Sequence, residues 1–102
     1  MERRKFRKIP SLDFRYEVSR DGIVRNVKSK KIKKQQITSN GWVFAVYKVN
    51  KTNPLYPHTI KFLHQIVMEC WGCKQPSQEH SIDHIDCDTR NNNISNLRWK
   101  KP

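Results

Sequence analysis

The stretch SIDHIDCDTRNNNISNLRW, residues 81–99, carries the most distinctive chemistry in the sequence. SIDHID and ISNLRW alternate apolar and polar residues, a strand period, and the asparagine-rich middle is a loop. This pattern predicts a β-hairpin with Asp83 beside His84 on its first strand. Neighbours on a strand point to opposite faces, so both reach one cleft only through a twist or bulge. A carboxylate suits a hard divalent cation such as magnesium or manganese. An imidazole takes a proton from water near neutral pH, and a side-chain amide can fix its tautomer without adding charge. Together these are the parts of a minimal phosphodiesterase site, where a metal stabilises charge on the leaving oxygen.

The charge of the whole chain points the same way. A net +12 on 102 residues implies a polyanionic partner. Nucleic acid is the first candidate and an anionic membrane surface the second. Residues 1–36 hold 13 Lys/Arg against 4 Asp/Glu, and residues 37–102 hold 8 against 5. The phosphate-gripping part is therefore expected in the first third, at Arg3, Arg4, Lys5, Arg7 and Lys8 and in the run Lys28, Lys30, Lys31, Lys33 and Lys34. Arg98 adds a cation next to the hairpin. Ten aromatic residues argue against full disorder. No run of about 18 apolar residues exists to span a membrane. The basic residues 1–8 lack a following apolar segment, so they are not a signal peptide. Three cysteines, an odd number, fit a reducing compartment such as the cytoplasm better than a disulfide framework.

The length allows one domain, and its composition divides that domain into a basic arm at 1–13, a β-rich basic module at 14–58 and a third module at 59–102. FRYEVS (14–19) and IVRNV (23–27) read as strands around an Asp21-Gly22 turn. Asn40-Gly41 is a second turn, followed by a strand from Trp42. Residues 50–58 hold two prolines and read as a loop. Ile60, Leu63, Val67 and Cys70 have helical spacing, which predicts an amphipathic helix over 59–71, with Thr59 as N-cap and Gly72 ending it. The fold class is thus α+β: an N-terminal antiparallel β unit, one central helix and the Asp83-His84 hairpin.

LHQIV (63–67), DHIDCD (83–88), Asn91-Asn92 and NLRW (96–99) together resemble the HNH endonucleases of the phage and intron homing type. FRYEVSRDGIVRNV (14–27) looks like the short modular DNA-binding motif that often precedes this kind of HNH unit. The two resemblances cover the chain from about residue 12 to 99. They imply a ββ-metal hairpin in which His84 is the general base, Asp83 a ligand of Mg2+ or Mn2+, and Asn96 the amide that orients the base. Asn91 and Asn92 match loop asparagines, and His64 a structural histidine. Cys87 and Asp88 stand where the family usually has Gly-Asn, so a left-handed turn at Cys87 would be strained. The family's metal site also uses a helix after NLRW, and only Lys100, Lys101 and Pro102 follow here. The expectation is a hairpin lacking that helix, with the second ligand drawn from His80, Asp86, Asp88, a homodimer mate or another protein.

Two function classes follow: a metal-dependent DNA endonuclease, or a catalytically degenerate HNH scaffold that binds nucleic acid or a nucleoprotein, such as an inhibitor of a host defence complex. Cys70 and Cys73 form a C-x-x-C that could take zinc with His80, His84 or Cys87, or act as a redox dithiol. Against both stands the position of Cys70 on the apolar face of the helix, where core packing is the commoner role.

Overall fold

The computed structural model describes residues 4–48 and 58–102. Among the described residues, three small antiparallel sheets pack with one α-helix. The first sheet has the order β1 (Phe6–Lys8), β2 (Tyr16–Ser19), β3 (Val24–Asn26). The second has β4 (Gln36–Ile37), β5 (Val43–Lys48), β6 (His58–Phe62). The helix α1 (Leu63–Trp71) follows β6 directly, and β7 (Ser81–His84) pairs with β8 (Leu97–Lys100) in the last hairpin. The α+β class expected from the sequence holds.

Both Gly turns form where the sequence places them. Gly22 and Gly41 adopt φ of 89° and 86°, a region closed to most residues with a Cβ. Ser19 and Thr38 close these turns, their hydroxyls accepting from the N–H of Ile23 and Trp42 at 2.9 and 3.0 Å. The core is built from Ile9, Leu12, Val18 and Val24, then Val43, Ala45 and Tyr47, then Leu63, Ile66, Val67 and Met68, and Leu97. Along β5 the buried set is Val43, Ala45 and Tyr47, while Trp42 and Phe44 stay partly exposed.

Three features add to or depart from the expectations. First, the basic arm contributes a strand and a turn. Residues 6–8 pair with β2, with Phe6 opposite Ser19, and Pro10–Leu12 form a 3-10 turn that buries Leu12. Glu69 of α1 holds that turn through the backbone N–H and hydroxyl of Ser11, at 2.9 and 2.6 Å. Second, the helix begins at Leu63 rather than Thr59. Residues 58–62 pair with five residues of β5, placing Ile60 opposite Val46 and Phe62 opposite Phe44. Five cross-strand pairs outweigh a helical spacing that only Ile60 extended, and Ile60 is left exposed. Thr59 therefore caps nothing. Third, ISN (94–96) is a 3-10 turn, capped by the Asn93 side chain, before the strand resumes at Leu97. Gly72 does end α1, but for lack of space rather than handedness: a Cβ there would lie 2.8 Å from the Met68 carbonyl oxygen and 2.3 Å from its sulfur. Most of the loop expected over 50–58 falls outside the described residues.

Candidate active site

His84 is the last residue of β7 and only 5% exposed. Its Nε2 lies 2.8 Å from Oδ1 of Asn92, itself 4% exposed. The Asn92 amide cannot turn round without loss, because its Nδ2 donates to the Thr89 carbonyl at 3.3 Å. Its oxygen therefore faces the imidazole and accepts from a proton on Nε2, which in the neutral tautomer places the lone pair on Nδ1. Trp42 and His64 complete the surroundings, with ring centroids 5.7 and 5.5 Å from that of His84. Burial, helped by the nearby His84, pushes the pKa of His64 down to about 4, so at neutral pH His64 adds no positive charge beside the imidazole.

The loop from 85 to 93 is wound around Asp86. Its carboxylate accepts from Asn91 Nδ2, the Asp88 N–H and Asn96 Nδ2, each at 2.8 Å. These bonds, that from Asn91 foremost, hold Asp86 below the usual carboxylate pKa. Asn96, 7% exposed, also donates to the Asn91 carbonyl at 2.9 Å and accepts from the Asp86 N–H at 3.0 Å. Asn96 is thus the clasp that ties the loop to the hairpin. The amide expected from Asn96 at the imidazole is supplied instead by Asn92, because the turn at Asp86 draws Asn96 toward the loop backbone. Both loop asparagines bond within the loop, Asn91 to the Asp86 carboxylate and Asn92 to the Thr89 carbonyl. Cys87 takes φ of 64°, the strained turn the sequence suggested.

The first two sheets hold this loop from outside. Thr89 Oγ1 donates to the Gly41 carbonyl at 2.6 Å, and the Ile94 N–H donates to the Arg20 carbonyl at 2.8 Å. Gly22 packs beside the loop: a Cβ there would meet the Asn92 carbonyl oxygen at 3.5 Å, an ordinary contact distance. The turns of both N-terminal hairpins thereby back the asparagine that orients His84. Trp42, His64, Thr89 and the two glycines were missed as site residues in the sequence. The glycines did stand out as turns, but nothing local announces what a turn packs against.

Asp83 is paired across the hairpin. It lies opposite Arg98 in the hairpin register, and its Oδ2 accepts from Arg98 Nε at 2.9 Å. Among the described residues no three His, Cys, Asp or Glu side chains come together. As a donor, Asp83 still fits a hard cation: magnesium commonly binds through one or two carboxylates and completes its shell with water and substrate phosphate. The alternative ligands His80, Asp86 and Asp88 are otherwise engaged, His80 with the Ser77 hydroxyl at 2.8 Å and the two aspartates in the loop bonds above and in a turn at Arg90. Zinc at Cys70 and Cys73 finds no support: Cys70 is half-buried, its thiol 3.6 Å from the Lys8 carbonyl, and burial pushes its pKa up to about 12. A thiol so hard to ionise is a poor ligand and a poor redox group.

The basic residues divide into two groups. Arg7 donates to the Cys70 carbonyl at the end of α1 at 2.9 Å and stacks over Trp71 at 4.1 Å, so it clamps the helix. Arg4 pairs with Asp21 at 3.0 Å, Lys30 with Glu17 at 3.4 Å, and Lys33 lies 5.7 Å over the Tyr47 ring. Lys5, Lys8, Lys28, Lys31 and Lys34 are exposed and make no ion pair among the described residues. Arg3 lies outside the described residues. Among the described residues no helix is long and apolar enough to cross a membrane.

The comparisons with known proteins bear on the modules and the fold. Residues 61–102 match the HNH endonuclease family model, and residues 5–48 match the NUMOD4 motif. An uncharacterised HNH endonuclease of Acanthamoeba polyphaga mimivirus is 28% identical over 87 residues, spanning 85% of this chain and 24% of the viral protein. A solved structure on DNA binding and cleavage by the HNH homing endonuclease I-HmuI superposes with a TM-score of 0.79 at 26% identity, covering 95% of this chain and 52% of that one. The chain thus spans about a quarter of the one relative and about half of the other. Residues 5–48 are thus similar to a NUMOD4 motif and residues 61–102 to an HNH endonuclease module, in the same order on a fold shared with a solved HNH homing endonuclease.

Proposed function

We propose that this chain grips DNA and hydrolyses its phosphodiester bonds with a divalent metal, magnesium or manganese. The observation that carries the reading is the His84–Asn92 bond, which engages Nε2 and leaves Nδ1 as the nitrogen that could accept a proton. In this reading His84 takes the proton of an attacking water, the water oxygen bonds to phosphorus, and the bond to the 3′ oxygen breaks. Asn92 fixes the tautomer, and neutral His64 spares the imidazole a second charge. Asp83 would hold the metal, which when bound supplies charge stabilisation at the leaving oxygen. The Arg98 pair must open for this, a small cost because an exposed ion pair stabilises by only about 0.2–1 kcal/mol. The free lysines Lys5, Lys8, Lys28, Lys31 and Lys34 supply the sequence-independent grip on phosphates.

The test is nicking of supercoiled plasmid by the purified protein with Mg2+ or Mn2+, beside EDTA and beside His84→Ala and Asp83→Asn. Metal-dependent nicking lost in both variants is the expected result. Plasmid binding without nicking under any metal would sink the catalytic reading and leave a binding scaffold.

A further inference from the structure

Phe14 has a backbone and an exposure that conflict with its side chain. Its φ is 58°, directly after Asp13 at 58°, in the left-handed region that a bulky L-residue rarely adopts. The turn imposes this conformation. The Asp13 N–H donates to the Pro10 carbonyl at 3.0 Å, the Phe14 N–H to Ile9 at 3.1 Å and the Arg15 N–H to Leu12 at 3.2 Å, while Ile9 and Leu12 are fully buried. A glycine would satisfy the same turn without strain. Core packing does not account for the phenyl ring, which is 57% exposed. The ring instead borders an open cavity of about 500 Å³ whose lining includes Tyr16, Asn26, Lys28 and Lys48. Arg15 also lines it and is paired with Asp13 at 3.6 Å, whereas Lys28 and Lys48 make no ion pair among the described residues. Strain retained at an exposed site points to function.

We propose that Phe14 is a base-stacking contact for the bound nucleic acid, its ring laid on a base displaced from its stack while Lys28 and Lys48 hold the flanking phosphates. An exposed aromatic face stacks on any base, and a lysine supplies charge to phosphate without demanding a sequence. A wedge of this kind unstacks a base step in exchange for closer contact. The inference rests on the DNA reading above and adds to it a contact outside the His84 site.

The experiment compares wild type with Phe14→Gly, measuring thermal melting and binding to a fluorescein-labelled DNA duplex by anisotropy across a salt series. The glycine variant should melt at or above wild type because its strain is gone. It should also bind at least about fivefold more weakly at every salt concentration, the loss expected for one base–aromatic stack. Its dependence of log affinity on log salt should keep the wild-type slope, since the ring carries no charge, while Lys28→Ala should lower the slope by about one contact. Wild-type affinity in Phe14→Gly, with wild type binding measurably, overturns the stacking contact and leaves the nuclease reading untouched. A glycine variant that melts well below wild type overturns the strain premise. Absence of duplex binding by wild type removes both readings together.

Discussion

Replacing Gly41 with alanine tests whether the N-terminal turns support the His84 loop. At φ of 86° an alanine pays a left-handed penalty of about 1–2 kcal/mol. Its Cβ would also lie 3.0 Å from Thr89 Oγ1, the atom that donates to the Gly41 carbonyl at 2.6 Å. Displacing that hydroxyl loses a hydrogen bond of about 0.5–1.5 kcal/mol. The two effects sum to about 1.5–3.5 kcal/mol, which for a domain of this size lowers Tm by roughly 7 to 16 °C. A double-mutant cycle separates them. In a Thr89→Ala background the obstructing atom and its bond are already gone, so Gly41→Ala should cost only its backbone part. The cycle should therefore be sub-additive by about 1 kcal/mol. The assay is thermal unfolding followed by circular dichroism for all four proteins. If the two single effects simply add, Thr89 does not press on Gly41 and the loop is not supported from that turn.

Two further outcomes follow from the charges at the site. Arg98→Ala should strengthen Mn2+ binding by up to about fivefold by removing the guanidinium that competes for Asp83, given the roughly 0.2–1 kcal/mol of an exposed pair. Water-proton relaxation measures it without any cleavage, and unchanged affinity would show that Asp83 is not where the metal goes. The depressed pKa of His64 fixes the sign of a pH effect. The unfolded chain takes up a proton near pH 6.5, whereas folded His64 resists until about pH 4, so stability is full above pH 6.5 and declines as pH falls through that window. His64→Gln should flatten the melting temperature across the window, and an unflattened curve would place the acid sensitivity elsewhere.

Much of this architecture is local in origin and hence legible in the chain. Asp21-Gly22 and Asn40-Gly41 announce their turns because few residues tolerate positive φ, and the alternation in residues 81–86 reveals the hairpin because its one face is buried. What stayed hidden depends on partners distant in sequence. Residues 59–62 carry both a helical spacing and strand-forming side chains, and only the presence of β5 settles the choice. Asn92 and Asn96 are chemically identical in a loop without periodicity. Which of them meets His84 depends on how Asp86 winds the backbone, which no spacing rule encodes. Arg7 looked like another phosphate contact because charge is visible in a sequence, whereas the helix end it clamps is 63 residues away. Phe14 looked like the first residue of a strand, and its left-handed turn follows from hydrogen bonds to Ile9 and Leu12 that the alternating pattern conceals.

The functional reading turns on which nitrogen of His84 holds the lone pair, and long-range proton–nitrogen NMR correlation on 15N-labelled protein at neutral pH reports it directly. The account predicts a neutral ring with the proton on Nε2, facing Asn92, and a lone pair on Nδ1 ready to accept a proton from water. A ring protonated on Nδ1, or charged at neutral pH, would leave that nitrogen no lone pair and contradict His84 as the base.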